Sequence, residues 1–403
     1  MTYARFRFTY LFAALLLTVS AFAQTEIGRI SGVVRDPSGA VVPNVAVTAT
    51  SVGKQTTQTA TTNANGTYQF LALQPGTYEI DVNATGFQPF KQRVDVTVGS
   101  RNTVDIPLGV ASAASTTVEV VAEGGATVNT TDQTLSQVVS STQITQLPTL
   151  TRNPYDLVAT AGNVTTSESQ SARGVGFSIN GQRAASTNIL LDGGENNDLF
   201  TATIGTSVPL DSVQEFRVIT SDFTAEYGRA SGGIVNVATR SGTNTFHGSA
   251  YEFNRVSTFA ANSFENKANN IPEPRFTRNQ FGYSFGGPLI KNKLFFFNSD
   301  EWVRVRSFQT TPAIIPAAGL ISAASPATQS FFSSLGNLAP GVTVTNTFTN
   351  LDPRLTAAAI GAGPAYSSLA PGTPIFQQIS FKVPGDSGGG SPQNSWLQNG
   401  RLD

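Results

Sequence analysis

Short runs in which apolar and polar residues alternate dominate the chain, and they are too brief and too closely spaced for helices. Between Gln24 and Leu108 such runs occupy Ile30 to Val34, Val45 to Thr50, Thr67 to Phe70, Thr77 to Ala84 and Gln92 to Val98. Turn residues separate them, in Asp36-Pro37-Ser38-Gly39, Asn63-Ala64-Asn65-Gly66, Gln74-Pro75-Gly76 and Thr85-Gly86. Short strands punctuated this regularly predict a β-sandwich over residues 24–108. Tyr78, Ile80 and Val82 share one face of their strand, so all three are expected in its core.

An Ala/Ser/Thr/Gly-rich linker over residues 109–126 follows, and then the pattern changes. Ser140 or Ser141 caps a helix that runs through Gln146 and stops before Pro148. Asn153 caps a second, with Pro154 at its first position and Gly162 near its end. Ile144, Leu147, Tyr155, Leu157 and Val158 give these helices apolar faces to lay on a small sheet. Strands are expected at 177–183 and 188–191, the latter running into an exposed acidic, Asn-rich loop. Val213, Phe216 and Val218, then Ile234, Val235 and Val237, predict a strand pair joined through Gly228, Gly232 and Gly233, where close approach or positive φ is allowed. Residues 127–240 therefore read as a small α+β domain.

Beyond Arg240, three segments are strand-like: Phe246 to Arg255, Asn279 to Gly287 and Lys293 to Arg306. Phe281, Tyr283 and Phe285 alternate with Gln280, Gly282, Ser284 and Gly286, the apolar-out, polar-in period of a membrane barrel. A soluble sandwich is the alternative for these strands alone. Residues 307–392 are rich in Ala, Pro, Gly, Ser and Thr, with Pro312, Pro316, Pro326, Pro340, Pro371 and Pro384. A long external loop or a disordered stretch is expected there, and Asn394 to Asp403 looks like the approach to another strand. The fold class is mainly β.

Composition narrows the chemistry. Charged residues make up 13% of the chain, against about 25% in a typical soluble domain. A formal net charge of −1 leaves no electrostatic footprint for nucleic acid. The chain has no cysteine, which excludes disulfides and thiolate chemistry, and His247 is its one histidine, so a two-histidine zinc site cannot form. No catalytic residue, metal or cofactor is expected, and His247 is read as structural. Asp192, Glu195 and Asp198 carry the oxygen ligands calcium takes, but their spacing departs from the EF-hand pattern, and a polar loop is expected. At the N-terminus, Arg5 and Arg7 precede an apolar stretch from Leu11 to Val19 and then Ala21-Phe22-Ala23. That is a signal peptide over residues 1–23, cleaved after Ala23.

Several of these motifs resemble a known family. Leu210-Asp211-Ser212-Val213-Gln214-Glu215-Phe216-Arg217-Val218-Ile219, continued by Glu226-Tyr227-Gly228 and Gly232-Gly233-Ile234-Val235-Asn236-Val237-Ala238-Thr239-Arg240, resembles the closing segment of the plug domain of TonB-dependent outer-membrane receptors. Asn180-Gly181-Gln182-Arg183 and Leu191-Asp192-Gly193 precede it in the order such plugs show. Asn65-Gly66-Thr67-Tyr68 and Leu73-Gln74-Pro75-Gly76-Thr77-Tyr78 are similar to the carboxypeptidase regulatory-like domain, an Ig- or transthyretin-like sandwich. Gly242-Thr243-Asn244, Phe246-His247-Gly248-Ser249, Asn279-Gln280-Phe281-Gly282 and Gly286-Gly287-Pro288-Leu289 match the Oar-like branch.

The resemblance implies export to the outer membrane of a Gram-negative cell and uptake of a scarce ligand, driven by contact with the energy-coupling protein TonB. It implies a barrel of roughly 22 strands around a plugged lumen, of which residues 241–403 would supply three or four. Thr117, Val118, Glu119, Val120 and Val121 resemble the segment that recruits TonB by strand addition; a structural strand of the sandwich or plug is the alternative. Arg183, Glu215, Arg217 and Arg229 are candidates for plug-to-barrel ion partners, or else solvated charges. A second functional class, a secreted or surface β-sandwich adhesion or binding protein, accounts for the first domain but not for the plug-like order of motifs.

Overall fold

The computed structural model describes residues 27–110, 118–121, 133–171, 174–268, 272–336, 338, 341–352 and 369–403. The expected signal peptide, its cleavage site and Thr117 lie outside the described residues. Two compact units make up the chain: Met1–Tyr251 with Gly282–Glu301 and Trp396–Asp403, and Glu252–Phe281 with Trp302–Ser395.

Nine strands build the N-terminal sandwich: β1 (Gly28–Arg35), β2 (Ala46–Ser51), β3 (Thr57–Thr61), β4 (Thr67–Leu73), β5 (Gly76–Val82), β6 (Phe90–Val96), β7 (Arg101–Thr103), β8 (Ile106–Pro107) and β9 (Val118–Val121). One sheet has the order β4-β1-β7, with β8 also on β1; the other runs β3-β2-β5-β6-β9. Ile30, Val34, Val47, Phe70, Ile80, Val82 and Ile106 fill the space between them, and Tyr78 joins them as its alternation requires. Buried Tyr68 keeps its hydroxyl satisfied by donating to the Val104 carbonyl at 2.7 Å. Gly32 has no room for a side chain, since a Cβ there would sit 1.8 Å from the Val104 oxygen. Strand β3 escapes the sequence pattern because Thr57-Gln58-Thr59-Ala60-Thr61 buries none of its side chains fully. β7 and β8 escape it by being only three and two residues long.

The plug begins with β10 (Leu135–Val139) and continues with β11 (Val164–Ser171), β12 (Gly174–Ile179), β13 (Thr187–Leu191), β14 (Gly194–Glu195), β15 (Asn197–Asp198), β16 (Thr203–Ile204), β17 (Val213–Ser221) and β18 (Gly233–Thr239). Its main sheet has the order β10-β17-β18-β13-β14. The expected helix spans Ser141–Gln146 with Ser140 as N-cap, in a capping box with Gln143. Asn153 and Pro154 open the second as expected, but it is a 3₁₀ helix, Pro154–Thr160. Ile144, Tyr155, Leu157 and Val158 pack with Phe177, Phe216, Val218, Val235 and Val237 in one core.

Two local expectations are corrected. The strand read at 177–183 starts earlier and ends at Ile179, because Asn180 (φ 53°) and Gly181 (φ 73°) turn the backbone out of the sheet. The Asn-rich loop is not simply exposed: Asn196 is buried, donating to the Tyr155 hydroxyl at 3.1 Å and to the Thr206 carbonyl at 2.9 Å.

The remaining strands are β19 (His247–Val256), β20 (Phe276–Ile290), β21 (Leu294–Pro316), β22 (Thr343–Thr349), β23 (Pro374–Pro384) and β24 (Gln393–Leu402). They form one sheet in the order β19-β20-β21-β23-β22, with β24 also on β21. Six strands replace the three or four expected. The difference comes from the proline-rich stretch, which is neither one loop nor structureless where it is described. β21 continues to Pro316, and β23 pairs with it from Phe308↔Pro384 to Pro316↔Phe376. Prolines are tolerated at strand ends and wherever their missing N–H is not part of the ladder, and Pro326 takes the first turn of a helix, Pro326–Ser334, capped by Ser325.

Alternation in β20 is as expected: Phe281, Tyr283 and Phe285 are exposed at 37%, 40% and 45%, whereas Gln280 and Ser284 are buried. Phe285 stacks on Phe246 with ring centres 5.8 Å apart and meets Phe296 at 5.6 Å. Phe295 and Phe297 turn to the opposite face and are buried, which resolves the facing of the three consecutive phenylalanines. Among the described residues no helix is long and apolar enough to cross a membrane, a statement that does not bear on crossing by strands.

Candidate coupling strand and plug anchors

β6 is held on one side by β5, in an antiparallel ladder from Gly76↔Val96 to Val82↔Phe90. On its outward-facing surface Lys91 reaches Glu79 at 2.9 Å and Asp81 at 3.1 Å, so charge reinforces the ladder. On the other side lies β9, parallel, with Phe90↔Val118, Lys91↔Glu119, Gln92↔Val120 and Arg93↔Val121 in register. The segment read as a strand for a partner is thus a strand of the sandwich sheet, and it stands at the end of the sheet order.

The plug's β17 carries Glu215 and Arg217, and both turn toward the loop after β6. The Val98 N–H donates to the Glu215 carboxylate, and Arg217 donates from Nη1 to the Gly99 carbonyl at 2.6 Å and from Nε to Ser136 Oγ at 2.9 Å. Gly99 has φ 62°, and a Cβ on it would meet the Tyr227 hydroxyl at 2.6 Å, so only glycine lets loop and plug approach this closely. Burial pushes the Glu215 carboxyl up to about 7, against the opposing pull of the Val98 N–H and of Arg217. Beside it, Glu226 takes Arg101 at 2.8 Å and Arg29 at 3.2 Å. Glu215 and Arg217 therefore join plug to sandwich. Arg229 pairs with Glu195 of the plug at 3.3 Å, both side chains well exposed. Arg183 is exposed at the start of the 3₁₀ turn Ala184–Ser186. It lines a plug cleft of about 520 Å³ together with Ser186, Asn197, Asp198, Arg229 and Ser231.

Charges that reach barrel strands are others. Arg152 holds Asp211 at 2.5 Å, stands 4.0 Å from Glu301 of β21, and lies over the Tyr251 ring of β19 at 4.7 Å. The Tyr251 hydroxyl donates to Glu301 at 2.9 Å, so a carboxylate with 1% of its side chain exposed has a cation and a donor. A second anchor is Asp192, which accepts from the Thr239 N–H and hydroxyl, both at 2.7 Å, and faces Arg401 of β24 at 3.4 Å. Asp192 is thereby committed to structure, Glu195 to Arg229, and Asp198 to the Phe200 N–H at 3.0 Å, three separate engagements rather than one ligand set. Sequence reasoning missed Arg152, Asp211, Glu301 and Arg401. Their one local signal was position, since Arg152 abuts the Asn153-Pro154 cap and Asp211 the head of the closing segment.

Residues 29–109 match the family model of the carboxypeptidase regulatory-like domain, 127–234 that of the TonB-dependent receptor plug domain, and 238–387 that of an outer membrane beta barrel domain. The chain is similar to the TonB-dependent transporter Oar of Myxococcus xanthus, 29% identical over 304 residues that make up 71% of this chain and 27% of that protein. It thus spans about a quarter of the length of that relative. Among solved structures it is similar to the siderophore receptor PirA of Acinetobacter baumannii, with 21% identity and a TM-score of 0.35 over 45% of this chain and 28% of that one. The outer membrane transporter YddB of Escherichia coli gives 17% identity and a TM-score of 0.36 over 43% of this chain and 27% of the other.

Proposed function

Because the chain belongs to the Oar-like TonB-dependent receptors, a family of transporters rather than enzymes, we propose that it takes a ligand across the outer membrane with energy delivered by TonB to residues 117–121. Export depends on the leader ending at Ala23. The observation that carries the reading is β9: a short, extended strand at the end of the sandwich sheet, of the kind a partner recognises through its backbone. Force applied there reaches a plug whose contacts with barrel strands are polar, through Arg152, Asp211, Glu301, Asp192 and Arg401. Polar anchors suit a part that must shift and return, since water entering the lumen replaces the hydrogen bonds they lose.

The test compares Val120→Pro with Val120→Ala in a pull-down on the periplasmic domain of TonB. Proline removes a backbone donor and restrains Glu119, whereas alanine leaves the ladder intact. Binding should fall with proline and persist with alanine. Equal binding of the two variants overturns the assignment.

A further inference from the structure

The sandwich has no part in uptake as described so far, yet its edge decides the conformation of the coupling strand. β9 adds to β6 in parallel over Phe90↔Val118 to Arg93↔Val121. The platform is firm: β6 is laddered to β5 along its whole length, and Lys91 ties it to Glu79 and Asp81. In a parallel pair, alternate residues of a strand turn their N–H and C=O groups to the neighbour, and the intervening ones turn theirs away. Among the described residues β9 is the terminal strand of its sheet, so the groups that turn away from β6 face the edge of that sheet.

We propose that the sandwich presents the coupling strand to TonB: β6 holds residues 118–121 extended, and the TonB strand adds to the outer edge of β9 without displacing it. The inference rests on reading this segment as the TonB contact and specifies the form in which it is offered. An unattached segment would have to be ordered as it binds, which costs conformational entropy for every residue fixed. Docking on β6 meets that cost before the partner arrives, and the sheet then continues from sandwich into partner. The arrangement also gives the Gly99 loop a role, because the Glu215 and Arg217 contacts connect the same β6 to the plug's β17.

The chain contains no cysteine, so one introduced pair gives a single defined cross-link. Gln92 and Val120 are register partners, and neighbouring strand positions fall within the Cα separation a disulfide spans, about 4.4–6.8 Å. The Gln92→Cys/Val120→Cys protein, full-length and in detergent, is titrated with the TonB periplasmic domain oxidised and reduced, beside the wild type. Presentation predicts that the cross-link forms in the folded protein and that the oxidised form binds as tightly as the reduced form or tighter, by up to about tenfold. Oxidised protein that binds tenfold or more weakly shows that the strand must leave β6, and overturns the proposal. Failure to cross-link removes the β6–β9 pairing itself. A cross-link that forms in a protein whose wild type does not bind TonB shows that the coupling assignment has failed instead, and the proposal falls with it.

Discussion

Arg401 Nη1 stands 3.4 Å from Asp192 Oδ1, which ties strand β24 to the Leu-Asp-Gly turn of the plug. Arg401 also donates to the Thr239 carbonyl at 3.2 Å, and Thr239 donates back to Asp192, so three residues close one polar ring. With 13% and 33% of the two side chains exposed, the pair is shielded enough to exceed an ordinary surface ion pair. Arg401→Ala and Asp192→Ala should each destabilise, and the double variant should cost less than their sum by about 1 kcal/mol. Denaturant unfolding in detergent measures this. Full additivity would show the contact to be incidental.

Arg152→Ala should be the more damaging change. It takes the guanidinium away from Asp211 and the buried Glu301, and a buried pair that loses one partner costs about 3–5 kcal/mol. Arg152→Lys keeps the charge but loses the planar group over Tyr251 and should fall between. Limited proteolysis of the solubilised protein reads the outcome, with the alanine variant cut fastest. Equal rates for all three would mean that the anchor bears no strain.

Glu215 sets a pH dependence. Its folded value, about 7, lies above the ordinary 4.5. The folded state thus holds this proton more tightly than the unfolded chain does. Its contribution to stability is complete below about pH 4.5 and is lost as pH rises through about 7, a difference of about 3 kcal/mol. Glu215→Gln keeps an acceptor for the Val98 N–H and carries no charge. Unfolding midpoints followed from about pH 5 to pH 8 should decline for the wild type and stay flatter for the variant, which gains most at the alkaline end. Parallel profiles would rule out Glu215 as the source.

Gly233 opens β18 where a Cβ would lie 2.7 Å from both the Ile179 methyl and the Ile219 carbonyl. Gly233→Ala should overpack the plug and cost about 1–3 kcal/mol, seen as a lower unfolding midpoint. An unchanged midpoint would mean that β12 and β17 can yield there.

What could be read from the sequence divides along physical lines. Elements marked by a local cause were legible: the Ser140 and Asn153 caps, the outward aromatics of β20, and the β17–β18 pair with its glycine turn. Elements that rest on distant partners were not. β3 is too polar to signal a strand and exists because β2 supplies its ladder. β22 and β23 lie within the proline-rich stretch, where composition argues for a loop, and the pairing of β23 with β21 and of β22 with β23 overrides it. The partners of the plug's charges were illegible for the same reason: a charge on β17 shows that it needs a partner, not that the partner is the loop after β6. Arg401 lies 209 residues from Asp192, and no local pattern joins them.

The order of strands around β1 bears on how the sandwich can be made. Among the described residues β1 is the first strand, yet its neighbours are β4 on one side and β7 and β8 on the other. Gly28 faces Leu73 and Arg29 faces Arg101. A chain delivered N-terminus first therefore presents β1 with both edges open until β4 has followed it, and with its second edge open until Arg101 arrives some seventy residues after Arg29. During that interval Ile30 and Val34, which end fully buried, lack Val104 and Ile106 of their core, while β2 and β3 can already pair with each other. The β1 sheet is complete only once the segment that ends at Leu108 has arrived. Slow delivery thus lengthens the exposure of an apolar strand edge, and whatever attends the chain in transit must hold that first strand apart from its neighbours' copies.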